Sequence, residues 1–381
     1  MKTIESYTGF EQGPIRPPSE AGSLLIRITR NCPWNRCTFC PVYKGSKFSL
    51  RPVEHVLRDI DKVHFYVESV LNEKRAAAQG RYTSFSSSAA EQDQMALYAA
   101  RSFVASGMKC IFLQDGNSLI IKPDDLARIL EHLKQAFPDV ERITSYARSH
   151  TIARIKDDDL LRFAKAGLNR IHIGLESGAD TVLKKVKKGA DKATQILAGQ
   201  KIKRAGIELS EYYMPGLGGR DLSRENALET ADALNQINPD FIRLRTLALP
   251  EGTPLAEQYR AGEFKKMGEV ETAQELLLFL ETLNGIESTL KSDHVLNLFS
   301  EVEGKLPREK EKMTAPVRNF LKLSPEEQMI FSIGRRTHRL SKLADLNDPV
   351  KYRYAEQVCL ELGATTDNSD DIVDAIIKRF I

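Results

Sequence analysis

The apolar positions of this chain follow two alternating rhythms. SLLIRIT (23–29) is a short apolar run that reads as a buried strand leading straight into a loop. From Pro52 to Ala77 the pattern changes: Val53, Val56, Ile60, Val63 and Val67 recur at three- and four-residue steps, the spacing of a helix with one apolar face. The small, polar stretch GRYTSFSSSAAEQ (80–92) reads as a loop or helix boundary, and 94–107 as a helix stopped by Gly107. Strands are then expected at 110–114, 142–147, 170–176, 207–214 and 241–249. Helices are expected between them at 123–137, 157–167, 191–205 and 223–237, with a shorter helical stretch before Gly189. Pro123 with the acids after it suits a first helical turn, and Ser223 suits an N-cap.

Strands alternating with helices in this way predict a wound parallel sheet, open or partly closed as a barrel. After Pro250 the rhythm fades. Helices are expected at about 269–284, 309–322, 325–340, 349–362 and 369–379, with one extended piece, STLKSD (288–293). Residues 1–22, rich in Pro and Gly, are expected to lie irregularly on the surface.

Composition narrows the class. Of 381 residues, 41% are hydrophobic and 28% charged, and the net charge is +3. That near-neutral balance predicts no nucleic-acid partner. No apolar run approaches the roughly 20 residues that span a bilayer, so no membrane is expected. The start, MKTIESYTGFEQGPIRPPSE, has no apolar core of a secretory signal. Five cysteines, three of them within nine positions, argue against a disulfide framework and for a reducing cytoplasm.

Those three cysteines carry the chemistry. NCPWNRCTFCP (31–41) places Cys32, Cys37 and Cys40 in a C-x4-C-x2-C loop directly after the first strand. A structural zinc site wants four protein ligands, and the nearest His, His55, lies fifteen residues beyond Cys40. Pro33, Asn35, Arg36 and Pro41 make the loop unsuitable as core. An iron–sulfur cluster on three thiolates is the remaining reading, and it leaves one iron open to an outside ligand.

A three-cysteine loop after the first strand, with Phe39 just before the last cysteine, resembles the radical S-adenosylmethionine (SAM) superfamily. The commonest spacing there has one residue fewer between the first two cysteines. Further segments follow in the family's order. QDGNS (114–118) matches in position a Gly-rich motif that meets the amino group of SAM, with Asn117 where an acid usually stands. IGLESG (173–178) looks like a GLES motif, YYMPGLGG (212–219) and LALPEGTPL (247–255) like the later loops, the last bordering the adenine.

The resemblance covers about residues 23–255 and implies a partial (β/α)6 TIM-like barrel of parallel strands. Residues 256–381 would be a mainly helical cap or lid over the substrate. It implies a [4Fe–4S] cluster on Cys32, Cys37 and Cys40, and SAM contacts at Phe39, Asp115, Gly116, Asn117, Glu176, Ser177 and Pro250. SAM would be cleaved reductively to a 5′-deoxyadenosyl radical that abstracts hydrogen from substrate. An electron donor such as flavodoxin or ferredoxin is then needed.

Substrate contacts are expected at Arg148 and His150 after the third strand, at His172 and Tyr213, and at His294 in the C-terminal region. Tyr212 could also line the cavity. Cys110 and Cys359 read as core thiols, and KKVKKG (184–189) as a solvated helix end. The leading expectation is a radical SAM enzyme acting on a small molecule, with an oxidoreductase or a lyase-type outcome. Radical SAM modification of a tRNA or peptide is the alternative, and a non-catalytic iron–sulfur or zinc protein the third.

Overall fold

The computed structural model describes residues 5–80 and 93–379, so all but Gly80 of the expected loop at 80–92 lies outside the described residues. The chain divides into two compact units. One holds the residues up to Asn35 with Val42–Ile173 and Lys201–Leu209; the other holds Arg36–Pro41, Gly174–Gln200 and the chain from Ser210 on.

The first unit begins with β1 (Leu24–Arg27), followed by the short antiparallel pair β2 (Thr29–Arg30) and β3 (Ser49–Leu50). Helices α1 (Val53–Ala78) and α2 (Gln94–Ala105) lead to β4 (Cys110–Gln114), α3 (Pro123–Ala136) and β5 (Arg142–Ala147). Next come α4 (Ser149–Ile152), α5 (Asp157–Lys165) and β6 (Leu168–Glu176), which ends in the second unit. Then follow α6 (Asp180–Lys185), α7 (Lys192–Arg204), β7 (Glu208–Tyr213), α8 (Gly219–Ile237) and β8 (Phe241–Leu244). The remainder is α9 (Pro254–Arg260), α10 (Glu269–Thr282), β9 (Thr289–Lys291), β10 (Gly304–Lys305), α11 (Lys310–Phe320), α12 (Pro325–Arg336), α13 (Pro349–Glu361) and α14 (Ser369–Ile377).

In the first unit β1, β4, β5 and β6 lie side by side, all parallel, with Leu24 opposite Ile111, Ile111 opposite Ile143 and Tyr146 opposite His172. Ile111, Leu113, Ile143 and Ile171 are buried, as are Leu126, Leu130 and Leu133 of α3. The apolar runs of the strands are thus buried on both faces and the period-3.6 positions of α3 on one, each such side chain contributing about 2 kcal/mol. In the second unit β7, β8 and β9 are parallel and β10 runs antiparallel on β9. This is an α/β fold built on parallel strands.

One detail extends the expectation and two depart from it. The extended piece at 288–293 is β9, a further parallel strand, with Ile242 opposite Leu290. β8 stops at Leu244, five residues early; beyond it Arg245 N donates to Tyr213 O (3.0 Å) and Leu247 N to Pro215 O (2.9 Å), so the chain leaves the regular ladder.

The largest correction concerns the N-terminal segment, which is not merely a surface extension. Gly13 N donates to Gln114 Oε1 (2.8 Å), and Gln114 Nε2 donates to Gly13 O (3.0 Å) and Ile15 O (2.7 Å). Glu20 is fully buried, 3.6 Å from both Arg142 and His172. Gln114 and His172 are buried, and this irregular segment supplies hydrogen bonds to the first and a carboxylate beside the second.

Candidate functional site

The cysteine loop is anchored in two ways. Asn31–Asn35 belong to the first unit. Asn31 adopts the left-handed conformation (φ 67°), its side chain donates to Lys47 O (2.6 Å), and its N–H donates to Asp115 Oδ2 (3.2 Å). Asn35, also left-handed (φ 45°), donates to Tyr43 O (2.5 Å) and Ser46 O (3.2 Å). Asp115, one residue past β4, is fully buried and also accepts Arg27 Nη2 (2.6 Å), Arg27 Nε (2.8 Å) and the Tyr43 hydroxyl (3.1 Å). Burial and the Asp115 charge push the Tyr43 phenol far up, so it stays a donor. Next to it, a Cβ on Gly116 would lie 3.3 Å from the Tyr43 ring and 3.7 Å from Cys32 Cβ. Glycine keeps this approach to the first cysteine open.

Asn117 is buried. Its amide donates to Thr151 Oγ1 (2.9 Å) and accepts from Arg148 N (3.0 Å), holding the loop after β5. The Arg148 guanidinium lies 5.0 Å over the Trp34 ring, a cation–π contact on the cysteine loop itself. His150 falls within α4, its pKa lowered by partial burial and by Arg154 and Arg148. His172 is buried between the Phe112 and Tyr146 rings, beside Glu20.

Arg36–Pro41 belong to the second unit. Thr38 is buried; its N–H donates to Val186 O (3.0 Å), and its carbonyl accepts Leu255 N (3.0 Å). Phe39 packs on an apolar cluster that includes Val186, Met214 and Leu247. With Thr38 and Phe39 fixed, Cys37 and Cys40 remain partly exposed, as Cys32 does. The stretch at 184–189 is therefore more than a solvated helix end: Val186 receives the cysteine loop. Lys188 pairs with Glu176 (3.1 Å) and lies 6.0 Å over the Phe39 ring.

Glu176 closes β6 in the left-handed region (φ 67°), uncommon for a residue with a side chain. That turn folds its carboxylate back over Gly174, where a Cβ would meet Glu176 Oε1 at 2.2 Å. Its carbonyl accepts Met214 N (2.9 Å). Ser177 is buried and its Oγ accepts Ala179 N (3.0 Å). A Cβ on Gly178 would sit 2.3 Å from the Glu229 carbonyl oxygen. The GLESG pattern is thus a set of backbone requirements around one carboxylate.

Tyr213 donates its hydroxyl to Glu275 of α10 (2.8 Å) and packs on Phe279. Pro250 O accepts the Thr253 hydroxyl (2.8 Å) that caps α9. His294 follows the carboxyl end of β9. Cys359 is buried as expected, whereas Cys110 is only partly buried.

One residue passed unnoticed in the sequence. Glu211 in β7 is buried, one carboxylate oxygen has no hydrogen-bond partner among the described residues, and burial with the Glu176 charge raises its pKa well above the usual range, against the opposing pull of Lys188. A carboxylate inside a strand otherwise read as buried was the available signal.

The donor set suits a cluster. Cys32, Cys37 and Cys40 are partly exposed cysteines of one loop, and none is in a disulfide. Among the described residues no three His, Cys, Asp or Glu side chains are gathered around a point for a single ion.

Parallel βα units with a three-thiol loop after the first strand define a class of enzyme that pairs an iron–sulfur cluster with a nucleoside cofactor. The chain matches, over residues 80–231, the family model described as the Radical SAM superfamily. It is an enzyme of the radical SAM class, whose members bind a [4Fe–4S] cluster and SAM.

Two curated relatives are tRNA uridine(34) acetyltransferases. The one from Methanocaldococcus infernus is 28% identical over 119 residues, 31% of this chain and 22% of its own length. The one from Methanocaldococcus jannaschii is 26% identical over 128 residues, 33% of this chain and 24% of its own length. The chain therefore spans about a quarter or less of these relatives. A solved structure similar in fold, coproporphyrinogen III oxidase (HemN) from Escherichia coli, has a TM-score of 0.44 at 17% identity, covering 68% of this chain and 52% of that one. Among the described residues no helix is long and apolar enough to cross a membrane.

Proposed function

We propose that this chain is a radical SAM enzyme that modifies a tRNA, with residues 23–255 as its catalytic core, 1–22 as an extension and 256–381 as the part that governs substrate access. The observation that carries the chemistry is the three-cysteine loop directly after β1, none of its cysteines in a disulfide, in a chain that matches the Radical SAM model. The two tRNA-modifying relatives favour a nucleic-acid substrate over the small molecule expected from the near-neutral charge. Because the matched stretch is a small part of each relative, the proposal concerns modification of tRNA and not acetyl transfer in particular.

In this reading Cys32, Cys37 and Cys40 hold the [4Fe–4S] cluster. Bound there, the cluster and SAM supply a one-electron reductive cleavage that generates a hydrogen-abstracting radical. The chain's own residues bind and orient. Gly116 leaves room beside Cys32, the Glu176 carboxylate contacts SAM from the end of β6, and Asn117 and Ser177 fix the loops next to their strand ends. Phe39 and Pro250 border the cofactor. Arg148, His150 and His294 take the substrate, whereas His172 and Tyr213, both buried, shape the walls. A reducing cytoplasm with a flavodoxin- or ferredoxin-like donor suits three cysteines that form no disulfide.

The test is anaerobic reconstitution with iron and sulfide, followed by dithionite and SAM, with and without bulk tRNA. Wild type is expected to release 5′-deoxyadenosine, faster with tRNA, and Cys37→Ala to release none. A fully reconstituted wild-type cluster that released none under either condition would overturn the catalytic reading. Release indifferent to tRNA would overturn the tRNA reading.

A further inference from the structure

The chain leaving β8 and the loop after β9 form a small polar group within the second unit. Arg243, buried in β8, donates to the Ser210 hydroxyl (3.2 Å) and pairs with Asp293 (2.5 Å). Asn297 then staples the loop to the end of β8. Its carbonyl oxygen accepts Thr246 N (3.0 Å), and its amide donates to Leu244 O (2.8 Å). Between Asp293 and that staple stands His294, whose Nδ1 accepts the Leu296 N–H (3.2 Å). Burial and the positive charge of Arg245 hold its pKa down to about 4, against the opposing pull of Asp293. The imidazole is therefore neutral, with its proton on Nε2. Arg245 itself is exposed.

This is a defined donor group. Arg243 and Asp293 cancel, Arg245 adds one net positive charge, and His294 adds a fixed, uncharged N–H. In parallel α/β sheets ligands bind at the carboxyl ends of strands, where these residues stand. An oxyanion fits such a pair: the guanidinium supplies charge and paired donors, and the imidazole N–H a further directed hydrogen bond.

We propose that Arg245 and His294 form a subsite for a phosphate group of the substrate, a backbone phosphodiester of the tRNA. This rests on the tRNA reading above for the source of the phosphate, but not for its chemistry. The two residues act differently. Arg245 neutralises charge and displaces a counterion; His294, being neutral, does not.

Equilibrium binding by the full chain measures this with three probes: bulk tRNA, adenosine 5′-monophosphate and adenosine. Arg245→Gln, His294→Asn and, as a remote control, Arg318→Gln are compared with wild type. Asparagine keeps an acceptor for Leu296 N but lacks the reach of Nε2. Circular dichroism checks that each variant is folded. For tRNA, Arg245→Gln is expected to weaken binding by about three- to tenfold and to reduce the slope of log K against log salt by about one. His294→Asn is expected to weaken binding without changing that slope, and Arg318→Gln to match wild type.

The outcomes separate the claims. If tRNA binds but both variants match wild type in affinity and slope, the subsite is overturned and the tRNA reading stands. If tRNA does not bind, while the monophosphate binds more tightly than adenosine and loses that advantage in both variants, the subsite stands and its source is a free nucleotide. If the monophosphate and adenosine bind alike and the tRNA slope does not respond to Arg245→Gln, no phosphate is recognised here and the proposal fails.

Discussion

Asp115 and Glu211 are both buried acids on or beside parallel strands, and they are built in opposite ways. Asp115, in the first unit, accepts Arg27, Asn31 N and the Tyr43 hydroxyl. Every one of those donors leads back to β1 or to the segment around the cysteine loop. Glu211, in the second unit, keeps one oxygen without a partner among the described residues, and burial raises its pKa well above the ordinary carboxylate range. A buried carboxylate with a full set of donors holds a fold together. One left short of donors costs stability, and such groups persist where a ligand completes them. The first acid is a fastening for the cysteine loop, and the second is open for use.

The sharpest way to break the comparison is to remove the fastening. Asp115→Ala strands Arg27 in a largely buried setting and frees Asn31 N and Tyr43. Breaking a buried pair costs about 3–5 kcal/mol, and because Glu11 still lies 3.3 Å from Arg27 the expected loss is at the lower end, about 3 kcal/mol. Urea unfolding of the unloaded chain measures it. A loss below about 1 kcal/mol would mean that Asp115 is not an anchor and would return it to the ligand-binding class.

A smaller loss is expected where the backbone itself is crowded. At Gly178 an added Cβ lies 2.3 Å from a backbone carbonyl oxygen of α8, which cannot rotate away. Gly178→Ala should cost about 2 kcal/mol in the same measurement, the range for overpacking. At Gly174 the obstructing atom is the end of the Glu176 side chain, so Gly174→Ala should leave stability closer to wild type and instead displace the Glu176–Lys188 pair. Equal losses at the two glycines would show that the GLESG backbone is no more constrained at its end than at its start.

Much of this was legible in the sequence. Short strand-like runs placed the strands from 110 to 213 and period-3.6 patterns the helices between them, because a strand covered on both faces and a helix covered on one each make a local demand on the sequence. The thiol loop was legible because few chemistries want three cysteines so close together. Position in a motif identified Glu176, but not the left-handed turn that folds it over Gly174 or the lysine it meets twelve residues later. The role of residues 11–20 was hidden for a physical reason: an irregular segment that bonds Gln114 and sets a carboxylate beside His172 has no period of its own. β9 was nearly missed because three residues are too few for alternation to register. Glu211 was overlooked because a carboxylate inside a strand looks like a solvent-facing position until its burial is known.

The smallest effect tests the open acid directly, through pH. Free glutamate titrates near 4.3. With the folded value raised, the native state holds a proton at Glu211 that the unfolded chain has already lost. Wild type should therefore lose stability as pH climbs from the ordinary glutamate range toward the raised native value, and the contribution is fully favourable only below that window. Glu211→Gln carries no titrating group, so it should show no such loss. Unfolding free energies of both proteins at pH 5 and pH 8 isolate the difference: the variant should gain on wild type at the higher pH. A difference that does not change with pH would mean that Glu211 is charged and paired in the native state. It would then be a second fastening like Asp115, and the contrast between the two acids would disappear.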